Sequence, residues 1–117
     1  MTTKEVANRL VELCREGKIQ DAGKELYSEN IISIEPDFAP VPRAEGLKAV
    51  VEKGNRFAAM IEATHGSSIS DPVVAGKSFS LGWNLDATMK GRGRVNLEEI
   101  CVYQVENGKI VMEQFFY

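Results

Sequence analysis

From Lys77 to Tyr117 the chain alternates apolar and polar residues with few interruptions, and short glycine-containing turns punctuate the pattern. A period of two commits this stretch to long antiparallel strands, because alternate side chains then fall on one face of a sheet. Phe79, Leu81, Trp83, Leu85, Ala87 and Met89 alternate with Ser78, Ser80, Gly82, Asn84, Asp86 and Thr88, which predicts a half-buried strand. Asn107-Gly108, flanked by further alternating residues, predicts a tight hairpin. Before this turn, Val95, Leu97, Cys101, Tyr103 and Val105 share a face with Glu99. After it, Val111, Phe115 and Tyr117 share a face with Glu113. A carboxylate in an apolar row must be paired, protonated or at the edge of a cavity. The two acids therefore mark a candidate pocket. A bulge at Glu98-Glu99 would instead turn Glu99 outward, so the phase of that strand decides between the two readings.

The upstream half reads as helices interrupted by one short strand. Thr2 and Glu5 form a capping-box pattern, and Val6, Leu10, Leu13 and Cys14 fall on one helical face up to a stop at Gly17. A shorter helix follows, with Ile19, Ala22, Gly23, Leu26 and Tyr27 on one face. Ile31 to Glu35 is short and β-branched, which predicts a strand. Pro36, Pro40 and Pro42 then stiffen a loop whose Phe38, Ala39 and Val41 either pack on the core or cover a ligand. A long helix is predicted from about Ala44 to Glu62, with Leu47, Val50, Val51, Gly54, Phe57, Ala58 and Ile61 at helical spacing. Gly54 on that face predicts close approach to another element. Ile69 to Ala75 reads as a strand that Pro72 pushes to an edge or a bulge. Two helices, a short strand, a helix and four antiparallel strands make an α+β domain.

Length and composition bound the rest. The 117 residues support one domain, 1–117, with one core. A net charge of −3 argues against a nucleic-acid partner. Lys90, Arg92 and Arg94 alternate with glycines, as a solvated hairpin tip does. Cys14 and Cys101 are isolated and His65 is the single histidine, so no zinc spacing and no metal or cofactor motif is present. With no leader-like or membrane-spanning stretch, no membrane association and a cytoplasmic location are expected.

Four features, taken in order, resemble the SnoaL-like and ketosteroid isomerase-like superfamily, which includes the nuclear transport factor 2-like proteins. They are Gly17 between two helices, the strand end Ile32-Ser33-Ile34-Glu35-Pro36, Gly46 opening the long helix, and the closing Asn107-Gly108-Lys109-Ile110. The resemblance implies a cystatin-like cone: three N-terminal helices packed on a curved, mostly antiparallel sheet. It does not imply one activity, because this superfold hosts isomerases, cyclases, dehydratases and non-catalytic binders. In ketosteroid isomerase an Asp base works with a tyrosine and a protonated Asp. Glu35 before Pro36 stands at the base position. Leu10 stands where the tyrosine would be, and Cys101 or Ile100 falls nearest the protonated acid, with Glu99 close by.

Glu35 and Glu99 are thus the candidate catalytic residues. Phe38, Phe57, Met60, Trp83, Tyr103, Glu113, Phe115 and Tyr117 are candidates for lining a pocket. Phe57 and Trp83 are more often core than ligand platform, and Met60 lines a pocket or fills space. Two functions remain open. One is a cofactor-free isomerase, cyclase or dehydratase acting on a small, largely apolar molecule. The other is a non-catalytic ligand-binding or dimeric accessory module. Ile100 and Val102 would point to the convex side, and apolar residues there predict a homodimer.

Overall fold

The first helix, α1 (Thr3–Arg15), starts where the capping box places it. The Glu5 amide donates to Thr2 Oγ1 at 3.1 Å, and the Thr2 amide donates to Glu5 Oε1 at 2.9 Å. Both bonds satisfy amides that the helix itself leaves without partners. Gly17 ends the turn at φ 73°, a conformation that costs glycine little. The short α2 (Ile19–Glu25) follows. A computed structural model describes all of residues 1–117.

The strands are β1 (Tyr27–Ile34), β2 (Arg43–Glu45), β3 (Ile61–Ile69), β4 (Val73–Ala75), β5 (Ser78–Met89), β6 (Gly93–Glu106) and β7 (Lys109–Phe116). The third helix is α3 (Leu47–Ala59). They form one curved sheet of order β2-β1-β7-β6-β5-β3, with β4 also pairing with β5. Every pairing is antiparallel except β1 with β7. The three helices pack on one face of this α+β sheet. The core there gathers Leu10, Leu13, Leu26, Ile31, Phe79 and Ile110, all fully buried. A smaller cluster of Leu85, Ala87 and Met89 lies toward Phe57 and Ile61. No helix is long and apolar enough to cross a membrane.

The local readings need five corrections. First, β1 begins at Tyr27 rather than Ile31. Second, the predicted helix from Ala44 to Glu62 is shorter at both ends. Arg43–Glu45 pairs with β1, and Gly46 at φ 89° sets the chain direction before α3 begins. Third, Ile61–Ile69 is an edge strand, exposed along most of its length. With neither face buried, its composition has no reason to alternate. His65 therefore sits within a strand, its Nε2 2.7 Å from Thr88 Oγ1.

Fourth, Gly54 does not serve a close approach. It is exposed, and an added Cβ would meet nothing within 4 Å. Gly23 is the packing glycine, because a Cβ there would lie 3.3 Å from Val51 Cγ2. Fifth, Ile110 and not Val111 faces the core. The β6–β7 register shifts between Gln104 and Val105, so Val105 pairs with Ile110. Beyond that irregularity Glu113 and Phe115 keep the inward phase predicted for them.

Two glycine substitutions should therefore act in opposite directions in urea unfolding. Gly54→Ala, in an exposed helical position, is expected to stabilise the fold by roughly 1 kcal/mol. Gly46→Ala is expected to destabilise it by about 1–2 kcal/mol, because alanine at positive φ is strained.

Candidate functional site

The register between β5 and β6 is unbroken from Ser78–Gln104 to Met89–Gly93. No bulge interrupts Glu98-Glu99, so Glu99 points to the helix-covered face, opposite Trp83. In the neighbouring strands, Tyr103 pairs with Glu113, and Glu113 pairs with Ser33 of β1. This lateral row brings the end of β1 to the acids of β6 and β7. Glu35 follows directly after β1, where its amide donates to the Pro42 carbonyl at 2.7 Å. That bond ties down both ends of the proline loop.

Glu113 is the most enclosed of the three acids, at 5% exposure. Tyr27 donates its hydroxyl to Glu113 Oε2 at 3.4 Å. Burial pushes the Glu113 carboxyl up to about 7; the Lys53 charge opposes the rise and Glu35 adds to it. Glu99 is also pushed up to about 7, by burial first and by Glu35 second, again with Lys53 opposing. Burial raises Glu35 as well, against Lys53 and a hydrogen bond from the Tyr117 hydroxyl to Glu35 Oε1 at 3.4 Å. Tyr117 itself rises to about 12, through burial and then the charges of Glu35 and Glu99. Glu35 Oε2 is buried and has no hydrogen-bond partner.

Lys53 is a residue of the candidate site that the sequence reading missed. It projects inward from α3 in phase with Val50 and Phe57, so the buried stripe is rotated by about one position from the one predicted. Its ammonium donates to Ser33 Oγ and stands 5.4 Å from the Phe115 ring centroid, a cation–π contact. The Val50, Lys53, Phe57 spacing carried a signal, but a lysine is ordinarily assigned to the solvated face.

A cleft of about 330 Å³ opens beside Glu35, lined by Ile34, Pro36, Asp37, Gln114, Phe115, Phe116 and Tyr117. The other large hollow, about 490 Å³, lies near Met1, Lys77 and Asn107, away from the acids. Phe38 is 75% exposed and edge-on to Tyr117 at 5.8 Å, at the outer side of the Glu35 loop. Phe57 and Trp83 meet edge-on at 6.0 Å on the wall shared with Glu99.

Two predicted lining residues lie elsewhere. Tyr103 is buried in the core, stacked on Phe79 at 4.8 Å, and is closed to a ligand. Met60 is exposed at the C-terminal cap of α3. Arg94 is tied to Asp86 by a two-pronged ion pair at 3.0 and 2.8 Å. Cys14 and Cys101 are free thiols, and no group of three His, Cys, Asp or Glu side chains is arranged to hold a metal ion.

The raised carboxyls fix the sign of a pH effect. Their folded values lie above the ordinary carboxylate value of 4.5, so the folded state holds protons that the unfolded chain releases. That stability is present below pH 4.5 and is lost as the pH rises toward 7. Glu113 alone is expected to account for a loss of about 3 kcal/mol across that window. Glu5, Glu25 and Asp86 are lowered, so they titrate below it. Denaturation midpoints measured from pH 5 to 8 should therefore fall in the wild type and fall less in Glu113→Gln. Lys53→Met should move the titrations of Glu99 and Glu113 further upward, as read by carboxyl-carbon NMR.

The chain matches the family described as the SnoaL-like domain over residues 1–117. It is 34% identical to a candidate SnoaL-like polyketide cyclase (alternatively labelled carbohydrate phosphatase) from Mesorhizobium loti, with 100% of each chain covered and a TM-score of 0.94. A protein of unknown function with a cystatin-like fold from Xanthomonas campestris superposes at TM-score 0.82. It is 16% identical, over 99% of this chain and 90% of that one. A hypothetical protein with a ketosteroid isomerase-like fold from Catenulispora acidiphila superposes at 0.75. It is also 16% identical, over 97% of this chain and 85% of that one. No curated protein matches the chain significantly. The family match over the full length and the shared fold agree with the element order and sheet topology described above: the chain belongs to the SnoaL-like domain family.

Proposed function

We propose that this protein performs cofactor-free acid–base chemistry on a small, largely apolar molecule. The observation that carries this reading is the Glu35 carboxylate. Its Oε2 is buried without a partner beside a cleft walled by Phe115, Phe116 and Tyr117. An unpartnered carboxylate oxygen in a partly apolar setting has unused basicity, and burial moves the group toward the pH at which proton transfer works best. Glu99, pushed up to about 7, holds a proton part of the time at neutral pH and can donate it. Isomerisation, aldol-type cyclisation and dehydration all use such a pair. The polyketide cyclase description of the Mesorhizobium relative supports the same class of chemistry.

The test needs no knowledge of the natural substrate. Exchange of α-hydrogens of cyclic ketones into deuterated water, followed by proton NMR, reports proton abstraction directly. The wild type is expected to accelerate exchange, and Glu35→Gln to reduce it by roughly 100-fold or more while leaving ketone affinity within a few fold. Exchange that survives in Glu35→Gln would remove Glu35 as the base.

The second reading is a binding module that works as a dimer, and one observation favours the dimer. Ile100 and Phe116 are about half exposed on the face away from the helices, where they pair across β6 and β7. Ile34, Val102 and Met112 continue that patch. The partner we expect there is a second copy of the chain. Sedimentation equilibrium should give twice the chain mass for the wild type and a monomer for Ile100→Lys/Phe116→Glu. Ketone binding without any α-hydrogen exchange would favour this module over the enzyme.

A further inference from the structure

We infer that the outer face of β3, β5 and β6 carries a separate hydrolytic site for small carboxylic esters, with Thr88 as nucleophile and His65 as its base. It lies on the opposite side of the sheet from the acids. β7 ends at Phe116, opposite Ile100, so beyond that row β5 and β6 are flanked by β3 alone. Leu85, Ala87 and Met89 are buried on the inner side, which leaves Asp86 and Thr88 on the outer one.

A bulge in β3 sets the geometry. Thr64 pairs with Ala87 and Gly66 with Asp86, so His65 is the extra residue between two ladder pairs. Such residues re-aim a side chain and recur beside active sites. Here the ring of the chain's single histidine is brought to Thr88, with Nε2 2.7 Å from Oγ1. That spacing is the one a hydroxyl nucleophile needs from its base. With the imidazole proton on Nδ1, Nε2 accepts from the hydroxyl. Arg94 is the residue directly opposite Thr88 on β6. Asp86 holds its Nε and Nη2 at 3.0 and 2.8 Å, which fixes the guanidinium and leaves Nη1 outside that pair. Asp86 also lies near enough to feel the His65 charge, so a carboxylate faces the imidazolium that proton transfer creates. Nucleophile, base, fixed cation and counter-charge thus stand on three adjacent strands, and the acid cluster uses none of them.

The reaction balances with water as the only co-reactant. As Thr88 Oγ1 attacks the ester carbonyl carbon, Nε2 takes its proton. The carbonyl π pair moves to oxygen, where the Arg94 guanidinium opposes the new charge. Collapse of the tetrahedral intermediate breaks the bond to the alkoxy oxygen, which takes the proton from Nε2. Water then attacks acyl-Thr88 by the same route and releases the carboxylic acid, with no oxidation or reduction.

The test uses p-nitrophenyl acetate, read as nitrophenolate release and as acetyl mass on peptides of the acid-quenched protein. The wild type is expected to show a burst of release and an acetyl group on the peptide that contains Thr88. Thr88→Val and His65→Gln should each reduce release by roughly 100-fold. Thr88→Ser keeps the hydroxyl and should retain it, and native circular dichroism of all three variants separates the effect from loss of folding. Release that persists in Thr88→Val but not in His65→Gln would make the imidazole itself the nucleophile and overturn the role of Thr88. Release equal in all variants, or no release above the buffer rate, would overturn the site and leave the acid–base reading of the cone untouched.

Discussion

The site depends on sheet register. Glu99, Cys101 and Tyr103 face the helices because β6 pairs with β5 along its whole length without a slip. A displacement by one residue would send all three to the outer face and bring Ile100 and Val102 inward. The next strand solves a different problem. β7 must present Ile110 to the core and then Glu113 and Phe115 to the cone, a spacing that strict alternation cannot give. The irregularity opposite Gln104-Val105 supplies the extra residue. One regular pairing and one local defect thus put three acids on the same concave surface.

Electrostatics then follows from geometry. Three carboxylates and a single ammonium share a region with restricted access to water. Full ionisation of all three acids would leave net negative charge in a medium that solvates it poorly. Proton uptake relieves this, which is why the two more burdened acids rise to about 7. Lys53 works against the same rise in all three. The site is therefore poised near neutrality by burial and charge together.

Much of the fold was legible in the sequence, for reasons that can be named. β5, β6 and the Asn107-Gly108 hairpin were readable because one face is buried and the other solvated, and Asn107 and Gly108 both take the positive φ that such a turn requires. α1 was readable from its cap. β3 was not, because an edge strand exposed on both faces carries no alternation. β2 is only Arg43–Glu45, too short for any pattern. Of the site, Glu35, Glu99 and Glu113 stood out as acids in apolar or proline-bounded settings. Lys53 did not, since its long stem lets it lie along an apolar stripe while its charge reaches a hydroxyl 20 residues away in sequence. Tyr103 was placed on the correct face, but the chain alone does not reveal that Phe79 fills the space in front of it.

The parallel pairing of β1 with β7 has a consequence for how the molecule is made. β7 is the last strand in sequence, yet it lies in the middle of the sheet, between β1 and β6. Until β7 pairs, β1 and β2 have one open flank. Closing that gap joins segments some eighty residues apart, as in Ser33 with Glu113, at the entropic cost typical of non-local topologies. The same event unites the halves of the acid cluster. Completion of the sheet and completion of the acid cluster thus depend on the same strand pairing.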